Sequence, residues 1–344
     1  MMKKWKETKM IRVRAILVLV LLVLSAMFFC VPATTFRLGS LAPQNSPWDD
    51  ALREMAEEWQ KATNGQVRMR IFAGGIAGDE RDMLRKVRIR QLDMMAMTGI
   101  GMSDVFNGIL TVQVPMMYQN EAEFWYVLER MKPYLERRVE ENGFKVLLWT
   151  KIGWVNFFSR QPIVVPADLQ RQRMFIYSGD ADAARVWRAM GFQPVPLSTN
   201  DIMTSLQSGM IDAITVSPLT AAAYQWFGAA PNMSDMKWAP LLGGVVVALD
   251  RWNRLPAATR EKLEAIALRV GEKMQANIDK ADADAIEIMQ AHGLQIHHVP
   301  PNAVEEWRTL AEKGVQSVIG TTIDPKTYEQ VKAILQEYRA RQGR

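Results

Sequence analysis

Apolar residues along this chain switch repeatedly between a period of two and a helical period. Residues 36–41 (FRLGSL) begin as an alternating strand. Ser46-Pro47 then reads as an N-cap with proline at the first helical position, and Trp48, Leu52, Met55, Ala56 and Trp59 follow at helical spacing until Asn64-Gly65. Val67, Met69 and Ile71 alternate with Arg68 and Arg70 as a second strand. Gly74, Gly75 and Gly78 form a loop, Asp79 caps a helix running to about Ile89, and Leu92–Met97 is an apolar strand. This β-α-β-α-β order predicts a parallel sheet with helices on its faces.

The rhythm returns after a helix predicted over 121–142. Strands are expected at Lys145–Leu148, Asn156–Ser159 and Arg173–Tyr177, helices at Ala181–Met190 and Asp201–Ser208, and a last buried strand at Val245–Leu249. Ala257–Ala291 then reads as almost uninterrupted helix, with Leu263, Ile266, Val270, Met274, Ile278, Ala285 and Ile288 on one stripe. At 1.5 Å per residue it would reach about 50 Å, longer than one small domain. Two helices kinked near Gly271 or Asp279 are the alternative.

Composition fits a globular α/β protein of two domains, 49% hydrophobic and 23% charged over 344 residues. The formal charge of +5 is concentrated in the leader: residues 1–33 carry six basic residues and one acid, leaving 36 of each sign beyond them. The body therefore shows no nucleic-acid footprint. The leader has a basic head, an apolar run Ala15–Cys30 and the small-residue site Val31-Pro32-Ala33. Sixteen residues give roughly 24 Å, short of a span of about 30 Å. Cleavage after Ala33, an uncleaved tether through residues 11–33, and acylation at Cys30 all remain open, and each places the body outside the cytoplasmic membrane. Cys30 is the sole cysteine, so the body has no disulfide.

Catalytic patterns are weak. His292, His297 and His298 are the only histidines; the adjacent pair would point to opposite faces of a strand, which argues for surface residues over a metal site. No nucleophile elbow appears, and Gly74-Gly75-x-x-Gly78 lacks the spacing of a dinucleotide or phosphate loop. Asp279, Asp282, Asp284 and Glu287 read as a solvated helix face. Neither catalysis nor a cofactor is expected.

A more specific pattern lies in 162–212: Pro166-Ala167-Asp168-Leu169, then Gly191, Pro194 and Pro196, then Leu206-Gln207-Ser208-Gly209 and Asp212. It resembles the signature of solute-binding proteins of tripartite ATP-independent periplasmic (TRAP) transporters, and the resemblance covers roughly Phe36 to Gly293. It implies a two-lobed periplasmic-binding-protein fold with a hinge, a long helix spanning both lobes, a ligand closed between them, and delivery to membrane permease subunits. The implied organisation is 34–153 plus 243–283 for lobe I and 154–242 plus 284–344 for lobe II.

In acid-binding members of that family the strand after Pro-x-Asp-Leu bears an arginine whose planar fork clamps a carboxylate. Phe175 holds that position here, and Val155 stands where a second arginine is frequent in Gly-x-Arg. Leu41, Met97, Thr98, Val216 and Ser217 replace other polar contact positions; Trp154, Tyr177, Thr199 and Trp226 complete the expected cleft. Together they predict an apolar ligand, in keeping with 22 methionines and 11 tryptophans. The competing reading moves the clamp to Arg173, which shares a strand face with Phe175. A permease-independent carrier of apolar ligands is the other alternative.

Overall fold

The computed structural model describes residues 33–178 and 181–343. Residues 1–32, which hold nearly all of the expected leader and Cys30, lie outside the described residues. Among the described residues there are ten strands: β1 (Thr34–Ser40), β2 (Val67–Phe72), β3 (Met94–Thr98), β4 (Phe144–Ser159), β5 (Arg173–Tyr177), β6 (Gln193–Leu197), β7 (Ala213–Val216), β8 (Asn232–Ser234), β9 (Ala239–Ala248) and β10 (Gln295–His297). They join in the order β2-β1-β3-β9-β4-β7-β5-β6, and β8 bridges β4 and β10.

The sheet is mixed rather than parallel. β1 runs parallel to β2 and β3, and β5 to β6 and β7, as expected for units joined by helices. Between these blocks, β9 is antiparallel to β3 and β4, and β4 to β7. The expected separate strands Lys145–Leu148 and Asn156–Ser159 are parts of the single strand β4. Its residues from Phe144 to Val155 pair with β9, and Asn156–Ser159 pair with β7. No periodicity marks the join because β4 is buried on both faces. Even Lys151 is enclosed, with 1% side-chain exposure, its Nζ donating to Glu121 Oε1 at 2.5 Å.

Each lobe packs helices on both faces of its sheet. In the first, Met83, Phe124, Leu128 and Val331 cover one face, while Leu52, Met55 and Trp59 meet Leu263, Val270 and Ile278 on the other. In the second, Phe157, Met174, Trp238 and Trp307 form one core and Phe175, Ile214, Trp226 and Met289 another. Ala257–Ala291 is one 35-residue helix that packs into the first lobe through Ile278 and the second through Met289. Gly271 does not kink it: a Cβ there would lie 3.2 Å from Leu148 Cβ, so the missing side chain lets the helix lie close on β4.

Three expectations are corrected. Ile288 is 57% exposed, outside the buried stripe, because the helix has rotated relative to the second lobe's core by that point. Asp282 is not on a solvated face: Oδ1 accepts from Leu219 N at 2.8 Å, at the start of the helix Pro218–Ala223. The side chain of Asp279 lies outside the described residues, whereas Asp284 and Glu287 are exposed. The segment 284–344 does not stay with the second lobe. Helix Pro325–Arg341 returns to the first, where Val331 and Leu335 join its core and Arg339 grips buried Glu123 through two bonds of 2.9 and 2.8 Å.

Gly153 sits where β4 passes between lobes, at φ +153°, and a Cβ there would lie 2.6 Å from Ser217 Cβ and 2.9 Å from Asp282 Oδ2. Both neighbours belong to elements fixed by other bonds, so neither yields easily. Gly153→Ala should therefore lower unfolding stability by about 1–3 kcal/mol, read as a reduced midpoint in urea at unchanged slope.

Candidate functional site

The cleft between the lobes contains three adjoining cavities. One of about 330 Å³ is bordered by Asp79, Glu80, Arg81 and Asp104 from the first lobe and by Tyr177 and Thr199 from the second. A mainly apolar space of about 120 Å³ lies among Leu41, Trp48, Met97, Val216, Trp226 and Met274. A third, of about 270 Å³, lies against Val155, Phe175, Trp187, Trp238 and Val315. Tyr177 lines all three. The lobes are in contact: the Tyr224 hydroxyl donates to the Leu41 carbonyl, and Asn200 reaches the Gly75 backbone, where a Cβ would lie 2.9 Å from Oδ1.

Strand ends explain how these side chains converge. Leu41 follows β1, and Met97 and Thr98 end β3, so first-lobe residues arrive at strand termini. Phe175 and Tyr177 lie two apart on β5 and share its inner face, their rings edge-to-face at 5.0 Å. Phe175 is 4% exposed. Val216 ends β7, and Trp226 stacks on Tyr224 with centroids 4.4 Å apart.

Three of the residues expected at the cleft sit elsewhere. Trp154 turns into the first lobe's core and donates Nε1 to Glu121 Oε2 at 2.7 Å. Ser217 is fully buried as the N-cap of Pro218–Ala223. Arg173 occupies the outer end of β5, where it shares Phe175's strand face but not its burial. Its Nε and Nη2 donate to both oxygens of Asp212 at 2.9 and 3.1 Å, with 47% side-chain exposure. The signature residue Asp212 is thus engaged in holding β5, and Gly209 ends the preceding helix in the left-handed conformation at φ +72°. The histidines take structural contacts: His297 Nε2 lies 2.8 Å from Asn232 Oδ1, and His298 Nδ1 lies 2.7 Å from Asp235 Oδ2.

Sequence reasoning missed Glu80. It is 5% exposed, and its oxygens accept from Thr98 N at 2.5 Å and Thr98 Oγ1 at 2.9 Å. A signal was present, since Glu80 shares the i, i+3, i+4, i+7 stripe with Met83, Leu84 and Val87, the buried face of helix Glu80–Arg88. A carboxylate on an apolar stripe marks either a core pair or a site. Burial pushes its pKa up to about 7, against the opposing effect of the Thr98 bonds, with Asp79 and Asp104 adding to the rise. Burial likewise raises the Tyr177 and Tyr224 hydroxyls, so both remain protonated donors at neutral pH.

A carboxyl that titrates near 7 when folded and near 4.5 when exposed holds more protons in the folded state between those values. Its contribution to stability is complete below pH 4.5 and is lost as pH rises through 7. Wild type should thus lose up to about 3 kcal/mol of closed-state stability between pH 5 and 8 relative to Glu80→Gln. Paired urea titrations of the two proteins across that range measure the difference.

Comparison with known proteins agrees with this architecture. Residues 38–321 match the family model described as bacterial extracellular solute-binding protein, family 7. A solute-binding protein of Verminephrobacter eiseniae is 22% identical over 76% of this chain and 79% of its own. The 2,3-diketo-L-gulonate-binding periplasmic protein of Escherichia coli is 23% identical over 77% and 81%. Among solved structures, a TRAP periplasmic solute-binding protein of Roseobacter denitrificans with bound β-D-glucuronate superposes with TM-score 0.81 at 16% identity, over 88% of this chain and 99% of its own. One of Desulfovibrio salexigens with bound orotic acid gives 0.81 at 19%, over 89% and 99%. The two-lobed fold and a family match spanning most of both lobes thus lead to one conclusion: this chain belongs to the bacterial extracellular solute-binding proteins of family 7, the TRAP group that its 162–212 signature resembles.

Proposed function

We propose that this chain captures a small apolar or amphipathic ligand in the interlobe cleft outside the cytoplasmic membrane and delivers it to TRAP-type permease subunits. The reading rests on binding, with no catalytic step. One observation carries it: among the described residues, neither the cavity around Trp226 nor the one against Phe175 is lined by a lysine or arginine, the Arg81 guanidinium on the remaining cavity is paired with Asp104, and Phe175 fills the place that would hold a clamp. The related structures named above contain acids, glucuronate and orotate. A carboxylate closed into these cavities would lose its hydration without gaining a cation, at a cost of several kcal/mol. Micromolar binding amounts to only about 8 kcal/mol. Apolar contact at roughly 25 cal/mol per Å² supplies affinity without that cost.

Arg173 is poorly placed for the competing role, since a ligand acid would first have to displace Asp212. A carrier that works without a permease would use the same cleft; finding a permease gene beside this one would favour the transport reading, and its absence would favour the carrier.

Denaturing extraction of the purified protein followed by mass spectrometry should release an apolar or amphipathic molecule; recovery of a short dicarboxylate alone would sink the proposal. Phe175→Arg should weaken binding of the recovered ligand by about tenfold or more, as a buried unpaired cation replaces a packed ring. Arg173→Ala should change affinity less than about twofold by calorimetry, and abolished binding there would mean that the clamp has moved.

A further inference from the structure

The largest of the three cleft cavities has a sign. Asp79, Glu80 and Asp104 face one guanidinium, Arg81, which donates to Asp104 at 2.8 and 3.2 Å. Glu80 borders both this cavity and the apolar one around Trp226, and its carboxyl accepts from the Thr98 amide and hydroxyl. A carboxylate has about four acceptor sites, so it retains capacity for another donor.

A second observation points to the same place. Thr199, 6% exposed, lines the same two cavities, and its Oγ1 has no hydrogen-bond partner. A buried hydroxyl without a partner is costly unless a ligand supplies one. Tyr177 and the stacked Tyr224–Trp226 pair border this space with aromatic rings, surfaces that attract cations.

A hydroxyl head group would satisfy Thr199 but offer Glu80 no opposite charge, and a carboxylate would face three acidic side chains with their one nearby cation already paired. An ammonium group offers three donors and the complementary charge. We propose that the ligand is an amphipathic organic cation, a protonated amine bound between Glu80 and Thr199 with its apolar tail passing Tyr177 toward Phe175. This assignment rests on the apolar-cleft reading and adds the chemistry of the head group.

The test uses three probes with one tail: 4-phenylbutylamine, 4-phenylbutanol and 4-phenylbutyrate, titrated calorimetrically into protein stripped of co-purified ligand. The amine should bind at least about tenfold more tightly than the alcohol, with the acid weakest. Glu80→Gln should cost the amine about tenfold while leaving the alcohol within about twofold. Equal binding of all three probes to wild type, or an unchanged amine affinity in a folded Glu80→Gln variant, overturns the head-group assignment while the apolar cleft stands. Binding of the acid alone overturns both. Where circular dichroism shows that the variant does not fold, the wild-type comparison decides by itself.

Discussion

The close passage of β4 past the second lobe at Gly153 governs much of this architecture. β4 belongs to both sheets, and at Gly153 it lies against the Ser217 cap and Asp282 of the long helix. Those neighbours are in turn tied together, because Asp282 accepts the amide of Leu219, the second residue of the helix that Ser217 caps. A strand, a short helix and the spanning helix therefore meet where a side chain would separate them. The positions of Val155, two residues further along β4, and of Val216, next to Ser217, follow from that contact. So do the distances between the cavity walls.

The signature in 162–212 is chiefly architectural. Asp168 accepts the Val164 and Val165 amides, Gly209 stops a helix, and Asp212 anchors Arg173. The side chains that line the cavities come instead from strands and their ends: Leu41, Thr98, Phe175 and Tyr177. A chain only 16–19% identical to the solved structures named above keeps their architecture.

The fold was legible where periodicity was clean. Helix Pro47–Ala62 shows its buried Leu52, Met55 and Trp59 at a regular spacing, and the spanning helix announces itself by length. Legibility failed where burial is two-sided or partners are distant. β4 offers no alternation, so its continuity was hidden. The return of Pro325–Arg341 to the first lobe rests on core contacts of Val331 and Leu335 and on an ion pair between residues 216 apart, which no local pattern encodes. At the site, Phe175 and Tyr177 were readable from strand alternation, but Trp154 and Ser217 turned away because Glu121 and a helix terminus claimed them. Glu80 was overlooked because the spacing around it was read for a helix start and not for which face it occupied.

The clasp between Glu123 and Arg339 also bears on the order in which the molecule can be completed during synthesis. Glu123 is fully buried, and leaving such a carboxylate without its guanidinium costs several kcal/mol. Arg339 emerges only after every strand of both sheets has been made. The first lobe, although most of it is synthesised early, stays unfinished until the helix Pro325–Arg341 arrives. The lobe made first is thus the lobe finished last, and the nascent chain remains short of its stable core throughout most of its elongation.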